Sequence, residues 1–199
     1  MVIREQKKEI IRKAAIEIIS QLGFHGATTD KIAQQAKVAV GTIYNYFKNK
    51  EDILDYIFEV EYKKRLDFYK KIYDQDIHTV DKLYEILKMH FSEVSKQPSL
   101  IKIILYERKL YNNNNKEDKT GIHKFRGLTG FFKDIVKQGI DNGQLKECNS
   151  DIIATALFGA VEAIMEEYLI ELDSGIHSNI LDDAALQIKD FLLEGLRSQ

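Results

Sequence analysis

Apolar residues recur at steps of three and four along almost the whole chain, which is the period of an amphipathic α-helix. The first stretch shows this best, in a stripe made of Ile10, Ile11, Ala14, Ala15, Ile18, Ile19 and Leu22. A single proline, Pro98, stands in 199 residues, so long helices run without a breaker. No segment alternates apolar and polar residues as a half-buried strand does. The pattern therefore predicts an all-α protein.

Capping residues and glycines divide this pattern into nine predicted helices. The first ends at Gly23, because glycine suits the left-handed geometry that often follows a helix. With their caps, the other eight are predicted at 28–36, 40–47, 49–73, 80–96, 98–111, 121–142, 149–172 and 179–197. The polar stretch 112–119 is predicted to be a mobile loop. We expect three helices in a small head and six in a body.

Composition excludes several classes of protein. Hydrophobic residues make up 44% and charged residues 30%, which is ordinary for a globular chain. One cysteine, Cys148, cannot form an internal disulfide, which favours a reducing compartment. The first residues lack the apolar segment of a secretion signal, and the longest charge-free apolar run, 152–161, is far shorter than the roughly 20 residues of a membrane span. We therefore expect a cytoplasmic protein.

Charge is unevenly distributed along the chain. Residues 1–50 hold nine basic and four acidic side chains, whereas the remaining residues hold 20 basic and 27 acidic ones. A basic head on an acidic body fits a head that meets a polyanion such as DNA. Chance clustering on a solvated face explains the charges equally well, so charge alone leaves both interpretations open.

Two short predicted helices joined by a tight turn follow a longer one, which is the layout of a helix-turn-helix. The second of them enters the major groove of DNA in such motifs, so it must bury one side and expose small polar groups on the other. Val40, Ile43 and Phe47 cluster on one side of it. The opposite side and its flanks carry Gly41, Thr42, Tyr44, Asn45 and Tyr46, and Lys48 and Lys50 follow. The alternative is a helix that packs its aromatic residues on the core.

The stretch 28–51, TTDKIAQQAKVAVGTIYNYFKNKE, resembles the DNA-binding signature of TetR-type transcriptional regulators. The family pattern is T-T, then I-A-x-x-A-G-V, then G-T-x-Y-x-Y-F-x-x-K-E, and roughly residues 5–60 carry the match. The resemblance implies core positions for Ile32, Ala33, Ile43 and Phe47. It also implies that the following residues bind DNA through phosphates or base edges: Thr29, Gly41, Thr42, Tyr44, Asn45, Tyr46, Lys48 and Lys50.

Two positions depart from the family pattern. Lys37 stands where the turn usually has glycine, so we expect a mildly strained backbone or a different turn. Ala39 replaces the serine or threonine that usually caps the third helix, which removes one cap hydrogen bond. Neither change removes the residues that the resemblance assigns to DNA.

The resemblance implies a DNA-binding head at 1–49 and a ligand-binding, dimerising domain at 50–199. The body is loosely similar to regulators that respond to fatty acyl thioesters, at Leu145-Lys146 and at 158–163. We expect a mostly apolar pocket lined by Leu87, His90, Phe91, Ile103, Tyr106, Phe132, Val136, Phe158 and Glu162. The ligand would be small and hydrophobic, with fatty acyl-CoA as one option. The alternative is a packed body without a cavity.

Helices eight and nine are predicted to form a homodimer interface as a four-helix bundle. Their apolar residues are Ile152, Ile153, Ala156, Leu157, Ala160, Ile164, Leu186, Phe191 and Leu192. Two heads spaced about 34–36 Å apart would then meet successive major grooves of a pseudo-palindromic operator. The resulting hypothesis is a repressor that a hydrophobic ligand releases from double-stranded DNA.

Other chemistry receives little support from the sequence. His90 and Glu93 have a spacing that occurs in helical metal sites, but a histidine at a pocket is the commoner explanation. Phosphate loops, nucleophile elbows and dinucleotide fingerprints are absent from the sequence. We therefore expect neither an enzyme nor a bound metal or cofactor. A helical ligand carrier or adaptor that has lost DNA binding remains the alternative function.

Overall fold

The computed structural model describes residues 2–114, 123–177 and 179–196. Nine α-helices occupy these residues, in agreement with the all-α prediction. Their bounds are α1 Val2–Gly26, α2 Thr29–Ala36, α3 Val40–Tyr44, α4 Lys50–Tyr73, α5 Thr79–Lys96, α6 Pro98–Asn114, α7 His123–Asp141, α8 Ser150–Asp173 and α9 Ile180–Leu196. None of these described helices is both long and apolar enough to cross a lipid bilayer.

Several helix boundaries confirm the predicted caps. The side-chain oxygen of Asn49 accepts from the backbone N–H of Asp52 at 2.8 Å, and the Asp52 carboxylate accepts from the N–H of Lys48 at 2.9 Å. This reciprocal pair satisfies two N–H groups at the start of α4. At α8 the side-chain oxygen of Asn149 accepts from the N–H groups of Asp151 and Ile152, which makes Asn149 the N-cap.

Three predicted boundaries were wrong. The predicted third helix, 40–47, is called the recognition segment below. Its α-helical geometry ends at Tyr44 rather than at Phe47, because the N–H of Tyr46 donates to the carbonyl of Ile43, three residues earlier, as in a 3₁₀ turn. Residues 112–114 are helical rather than loop, since asparagine costs little enough for an established helix to continue through it. Helix α1 resumes for one turn beyond a kink at Gly23. The rest of the predicted loop, 115–119, and the first residues of the predicted seventh helix, 121–122, lie outside the described residues.

The described residues form two compact units. Unit 1 lies within Met1–Lys63 and Ser99–His123, and unit 2 within Lys64–Pro98 and Lys124–Gln199. Helix α4 contributes its first half to unit 1 and its second half to unit 2. The predicted functional division between residues 49 and 50 is a different one, because α6 joins the head helices in one compact unit.

In unit 1, α2 packs between α1 and α3 around a core of small and branched residues. Its buried side chains include Ile11, Ala15, Ile32, Ala33, Ile43, Phe47 and Ile53. This confirms the core positions that the resemblance implied for the head. A buried ion pair joins α1 to α4, with Arg12 Nη1 at 3.0 Å from Glu61 Oε1.

In unit 2, α5 packs against α8 and α9, and Tyr69 of α4 is buried at the centre of an aromatic cluster. The ring of Tyr69 makes edge-to-face contacts with Phe131 and Phe132, whose centroids lie 5.5 and 6.0 Å away. Its hydroxyl hydrogen-bonds to Nε2 of His90. The cluster thus satisfies its buried polar atoms while burying several aromatic rings.

Candidate nucleic-acid interface

Helix α2 is closed at both ends by local hydrogen bonds. The hydroxyl of Thr28, in extended geometry, accepts from the N–H of Lys31 at 3.3 Å, which makes it the predicted N-cap. At the other end, the N–H of Lys37 donates to Gln34 and the N–H of Val38 donates to Ala33. These two bonds form a Schellman motif, which reverses the chain direction toward α3.

The backbone after α2 shows the effects predicted for Lys37 and Ala39, the two residues that depart from the family pattern. Lys37 has φ 54° and ψ 46°, and it is the one residue other than glycine with positive φ among the described residues. A side chain in this left-handed region costs free energy that glycine avoids. Ala39 precedes α3 in extended geometry and has no side-chain cap bond. The left-handed backbone of Lys37 and the missing side-chain cap at Ala39 therefore each cost stability at this turn.

The segment 40–47, which consists of α3 and the three residues after it, buries one side and exposes the other, as predicted. Ile43 and Phe47 are buried, and Val40 is half-buried. Gly41 and Asn45 are exposed, Thr42 and Tyr46 are half-exposed, and 54% of Tyr44 is accessible to solvent. A Cβ added at Gly41 would meet no atom within 4 Å, so the chain itself does not require glycine there. The exposed surface is a short strip of backbone, hydroxyl and aromatic groups that suits base edges and phosphates.

Thr29 and Tyr44 form a contact that sequence reasoning missed. The two side-chain oxygens lie 3.2 Å apart, which joins the start of α2 to the end of α3. A hydroxyl that shares one hydrogen bond can still accept or donate another to a phosphate oxygen. The pair therefore holds two of the predicted DNA-binding hydroxyls in a fixed relative position.

The two lysines after α3 differ in their surroundings. Lys48 is exposed, whereas Lys50 is half-buried. The ammonium of Lys50 donates to the carbonyls of Phe24 at 2.6 Å and Ala27 at 2.9 Å, and it lies 4.3 Å from the centroid of the Phe24 ring. Two of its three protons thus hold unit 1 together. Phosphate binding by Lys50 stays a prediction that depends on the third proton.

The residues predicted to line a ligand pocket are divided between the two units. Unit 1 contains Ile103 and Tyr106 of α6, and unit 2 contains Leu87, His90, Phe91, Phe132, Val136, Phe158 and Glu162. In unit 2 all of them except Glu162 are buried, and the rings of Phe132 and Phe158 meet edge to face at 5.8 Å. Ile103 and Tyr106 line a separate pocket with residues of α1.

The alternative chemistry gains no support from the geometry. Within the described part of the chain, no three His, Cys, Asp or Glu side chains lie close enough together to hold a metal ion. His90 bonds to Tyr69, and Glu93 pairs with Arg65 at 2.6 Å, so the two point to different partners. Partial burial, aided by the Glu147 carboxylate, raises the pKa of the Cys148 thiol above its ordinary value, which is the opposite of nucleophile activation.

Comparison with known families and relatives agrees with the helix-turn-helix. Residues 11–57 match the model of the family described as bacterial regulatory proteins, tetR family. Residues 76–168 match the model described as tetracyclin repressor-like, C-terminal domain. Among curated relatives, the fatty acid metabolism regulator protein of Bacillus subtilis is 29% identical over 158 residues, which cover 79% of this chain and 80% of that protein.

Solved structures show the same fold. A transcriptional regulator FadR from Bacillus subtilis, solved in complex with stearoyl-CoA, superposes with a TM-score of 0.80 at 24% identity, covering 94% of this chain and 98% of that one. The fatty acid degradation regulator FadR from Bacillus halodurans gives 0.79 at 23% identity, covering 95% and 99%. The two family models together match more than two thirds of the sequence. This chain therefore belongs to the TetR family of bacterial regulators, which are DNA-binding transcription factors and not enzymes.

Proposed function

We propose that this protein is a homodimeric repressor that leaves a pseudo-palindromic operator when a fatty acyl-CoA binds to its body. The observation that carries the proposal is the extent of the likeness to the Bacillus subtilis fatty acid metabolism regulator. An alignment that covers 79% of this chain necessarily extends far beyond the head. In TetR-type regulators the body binds the ligand, so similarity in the body supports a similar ligand.

The chemistry of unit 2 supports a lipid-like ligand. The predicted ligand residues there are almost all apolar and buried, and His90 is a polar group among the aromatic rings. An acyl chain would be held by such walls through burial of methylene groups, each contributing about 0.8 kcal/mol. Binding would open the edge-to-face contacts of Phe132, because those rings are closely packed without ligand. The ligand would thereby favour one arrangement of the body over another.

The exposed apolar face of α8 and α9 supports the homodimer. Solvent reaches 64% of Ile152 and 74% of Phe191, which is unfavourable for large apolar side chains in water. A groove of about 420 Å³ lies between the two helices, lined by Ile153, Ala156, Leu157, Ala160, Gln187, Ile188, Phe191, Leu192, Gly195 and Leu196. A second copy provides the same apolar face, so an isologous four-helix contact would cover both.

The DNA part of the proposal is tested by fluorescence anisotropy with labelled duplex from upstream of the protein's own gene. We expect specific binding whose affinity falls steeply with salt. A variant carrying both Tyr44→Ala and Lys48→Ala should lose it, because a base or phosphate contact and a free cation are removed together. Retention of full affinity by this variant would contradict the assignment of the interface.

The ligand part is tested by titrating stearoyl-CoA into the same complex. We expect at least tenfold weaker DNA binding, equivalent to about 1.4 kcal/mol, with no effect of free coenzyme A. Phe132→Leu should reduce the response, whereas Phe125→Leu, at a buried phenylalanine of the same helix outside the predicted site, should preserve it. Binding of stearoyl-CoA by a protein that binds no duplex would instead favour the ligand carrier.

A further inference from the structure

A separate apolar pocket lies inside unit 1. Its walls come from two helices: Ile19, Ser20, Gly23 and Phe24 of α1, and Lys102, Ile103, Tyr106 and Glu107 of α6. The volume is about 250 Å³. An engineered apolar cavity of about 150 Å³ binds benzene, so this pocket has room for a two-ring molecule. It shares Ile103 and Tyr106 with the predicted ligand site but none of the buried residues of unit 2.

Gly23, which lines this pocket, is the residue of α1 whose backbone is not helical. Gly23 has φ 68° and ψ 165°, a conformation that only glycine adopts readily, and it breaks α1 one turn before its end. No atom lies within 4 Å of a Cβ built at Gly23, so the space beside it is open. The kink therefore creates part of the pocket, because a continuous helix would place a different wall there.

The kink is connected to the DNA-binding segment by Lys50. Phe24 forms a wall of the pocket, and its carbonyl and ring both hold the Lys50 ammonium. Lys50 is the first residue of α4 and lies three residues after Phe47, where the recognition segment ends. The same ammonium also holds the carbonyl of Ala27, one residue before the cap of α2. A molecule that displaces Phe24 therefore acts on both ends of the helix-turn-helix.

The chemistry of the pocket selects the class of ligand. The apolar part of a ligand would lie against Ile19, Ile103 and the rings of Phe24 and Tyr106. Lys102 and Glu107 carry opposite charges at the α6 side, so the pocket favours no net charge. The hydroxyl of Ser20 donates to the carbonyl of Glu17 at 2.9 Å, which leaves its oxygen as an acceptor for a donor on the ligand. These groups fit an uncharged two-ring aromatic alcohol.

We propose that the α1/α6 pocket binds compact, uncharged aromatic alcohols, and that its occupation changes the helix-turn-helix through Gly23, Phe24 and Lys50. This site is additional to the acyl-CoA site in the body. Ligand binding to this site is measured on the free protein without DNA or acyl-CoA, so the result does not depend on the proposed function.

The binding step is tested with 2-naphthol as the probe. The chain has no tryptophan, so naphthol can be excited selectively and its fluorescence anisotropy followed. We expect saturable binding that weakens at least tenfold in Ser20→Leu, because the added side chain fills the pocket. Tyr106→Ala, at a residue 53% exposed and thus safe for folding, should weaken it by about fivefold.

A matched control separates the pocket from general effects of the substitution. Ser95 lies on α5, donates its hydroxyl to the carbonyl three residues earlier as Ser20 does, and is outside the pocket. Ser95→Leu should therefore bind 2-naphthol as the wild type does. Equal affinity of wild type and Ser20→Leu, or no saturable binding at all, would overturn the proposed site.

The coupling step is tested by amide hydrogen exchange with and without 2-naphthol. We expect slower exchange at 19–27 and 99–107, and altered exchange at 28–50. A 2-naphthol analogue with a carboxylate in place of the hydroxyl should produce neither change, because the pocket favours an uncharged ligand. Protection of the pocket peptides with unchanged exchange at 28–50 would overturn the link to the helix-turn-helix.

Discussion

Lys48 and Lys50 are two residues apart in the chain, but their side chains have different surroundings. Lys48 is exposed and Lys50 bridges the carbonyls of Phe24 and Ala27. We predict that Lys48→Ala leaves stability unchanged and lowers the salt slope of DNA binding by about 0.9, since one phosphate contact is lost. Lys50→Ala should cost about 1–3 kcal/mol of unfolding free energy as well, because charge-assisted hydrogen bonds disappear.

Urea denaturation and salt-dependent anisotropy on both variants check this prediction. The two substitutions remove the same side chain from nearby positions, so each is the control for the other. Equal stability of the two variants would show that the internal bonds of Lys50 contribute nothing measurable.

The left-handed backbone conformation of Lys37 lowers the free energy of unfolding. Replacing it with glycine removes the left-handed penalty of about 1–2 kcal/mol and adds the entropic cost of glycine, about 0.5–1 kcal/mol. We therefore predict that Lys37→Gly stabilises the protein by about 0.5–1 kcal/mol in urea denaturation. Lys37→Ala keeps the Cβ and removes the charge, so it should not stabilise. A gain in both variants would attribute the effect to charge rather than to backbone geometry.

At the scale of elements, an ionic cluster fixes α1 against α4. Arg12 donates Nε and Nη2 to the two carboxylate oxygens of Glu9 at 2.7 and 2.9 Å, and Nη1 to Glu61. The side-chain hydrogen bond from Arg12 lowers the pKa of Glu9, and the same bond raises the pKa of Arg12. The cluster therefore holds the first half of α4 against α1.

The lowered pKa of Glu9 makes this contribution depend on pH. Its stabilising effect is complete above the unfolded-state pKa of about 4.3 and is lost as the pH falls through the folded-state value. We predict that Glu9→Gln is less stable than wild type at neutral pH, and that this difference disappears in acid. Urea denaturation between about pH 7 and pH 3 measures it. The exposed Glu147→Gln serves as control, and a difference that persists in acid would contradict the role of ionised Glu9.

At the scale of the whole molecule, the proposed dimer depends on the α8/α9 face, which would bring two heads to the DNA. Phe191 is 74% exposed in one chain, so its replacement should leave the fold intact. We predict that Phe191→Asp weakens the dimer at least thirtyfold, which is the effect of losing an interface residue worth about 2 kcal/mol. Light scattering at micromolar concentration should then show a monomer, with operator affinity reduced.

Ile77 provides the control for this prediction. It is a large apolar residue exposed in the segment between α4 and α5, and it is not among the residues that line the α8/α9 groove. Ile77→Asp should remain a dimer. A dimeric Phe191→Asp, or a monomeric wild type, would contradict the proposed assembly.

The sequence alone determined the helices, their caps and the inner and outer sides of the recognition segment. These features depend on residues close together in the chain: Asn49 and Asp52 are three apart, and Ile43 and Phe47 share a helix face. The family resemblance also rests on one continuous stretch. Local periodicity and capping therefore sufficed for the fold class, and the motif in this stretch sufficed for the family.

The tertiary structure decided which distant residues meet. Arg12 reaches Glu61, and Lys50 reaches Phe24. The sequence predicts Ile103 among the ligand residues of the body, and the structure places it with Ile19 of α1 in the pocket of unit 1. No local pattern records such pairings, because they depend on how whole helices pack. The positions of the helices were thus readable from the sequence, whereas the cavities and ion pairs between them came into existence only when the helices packed together.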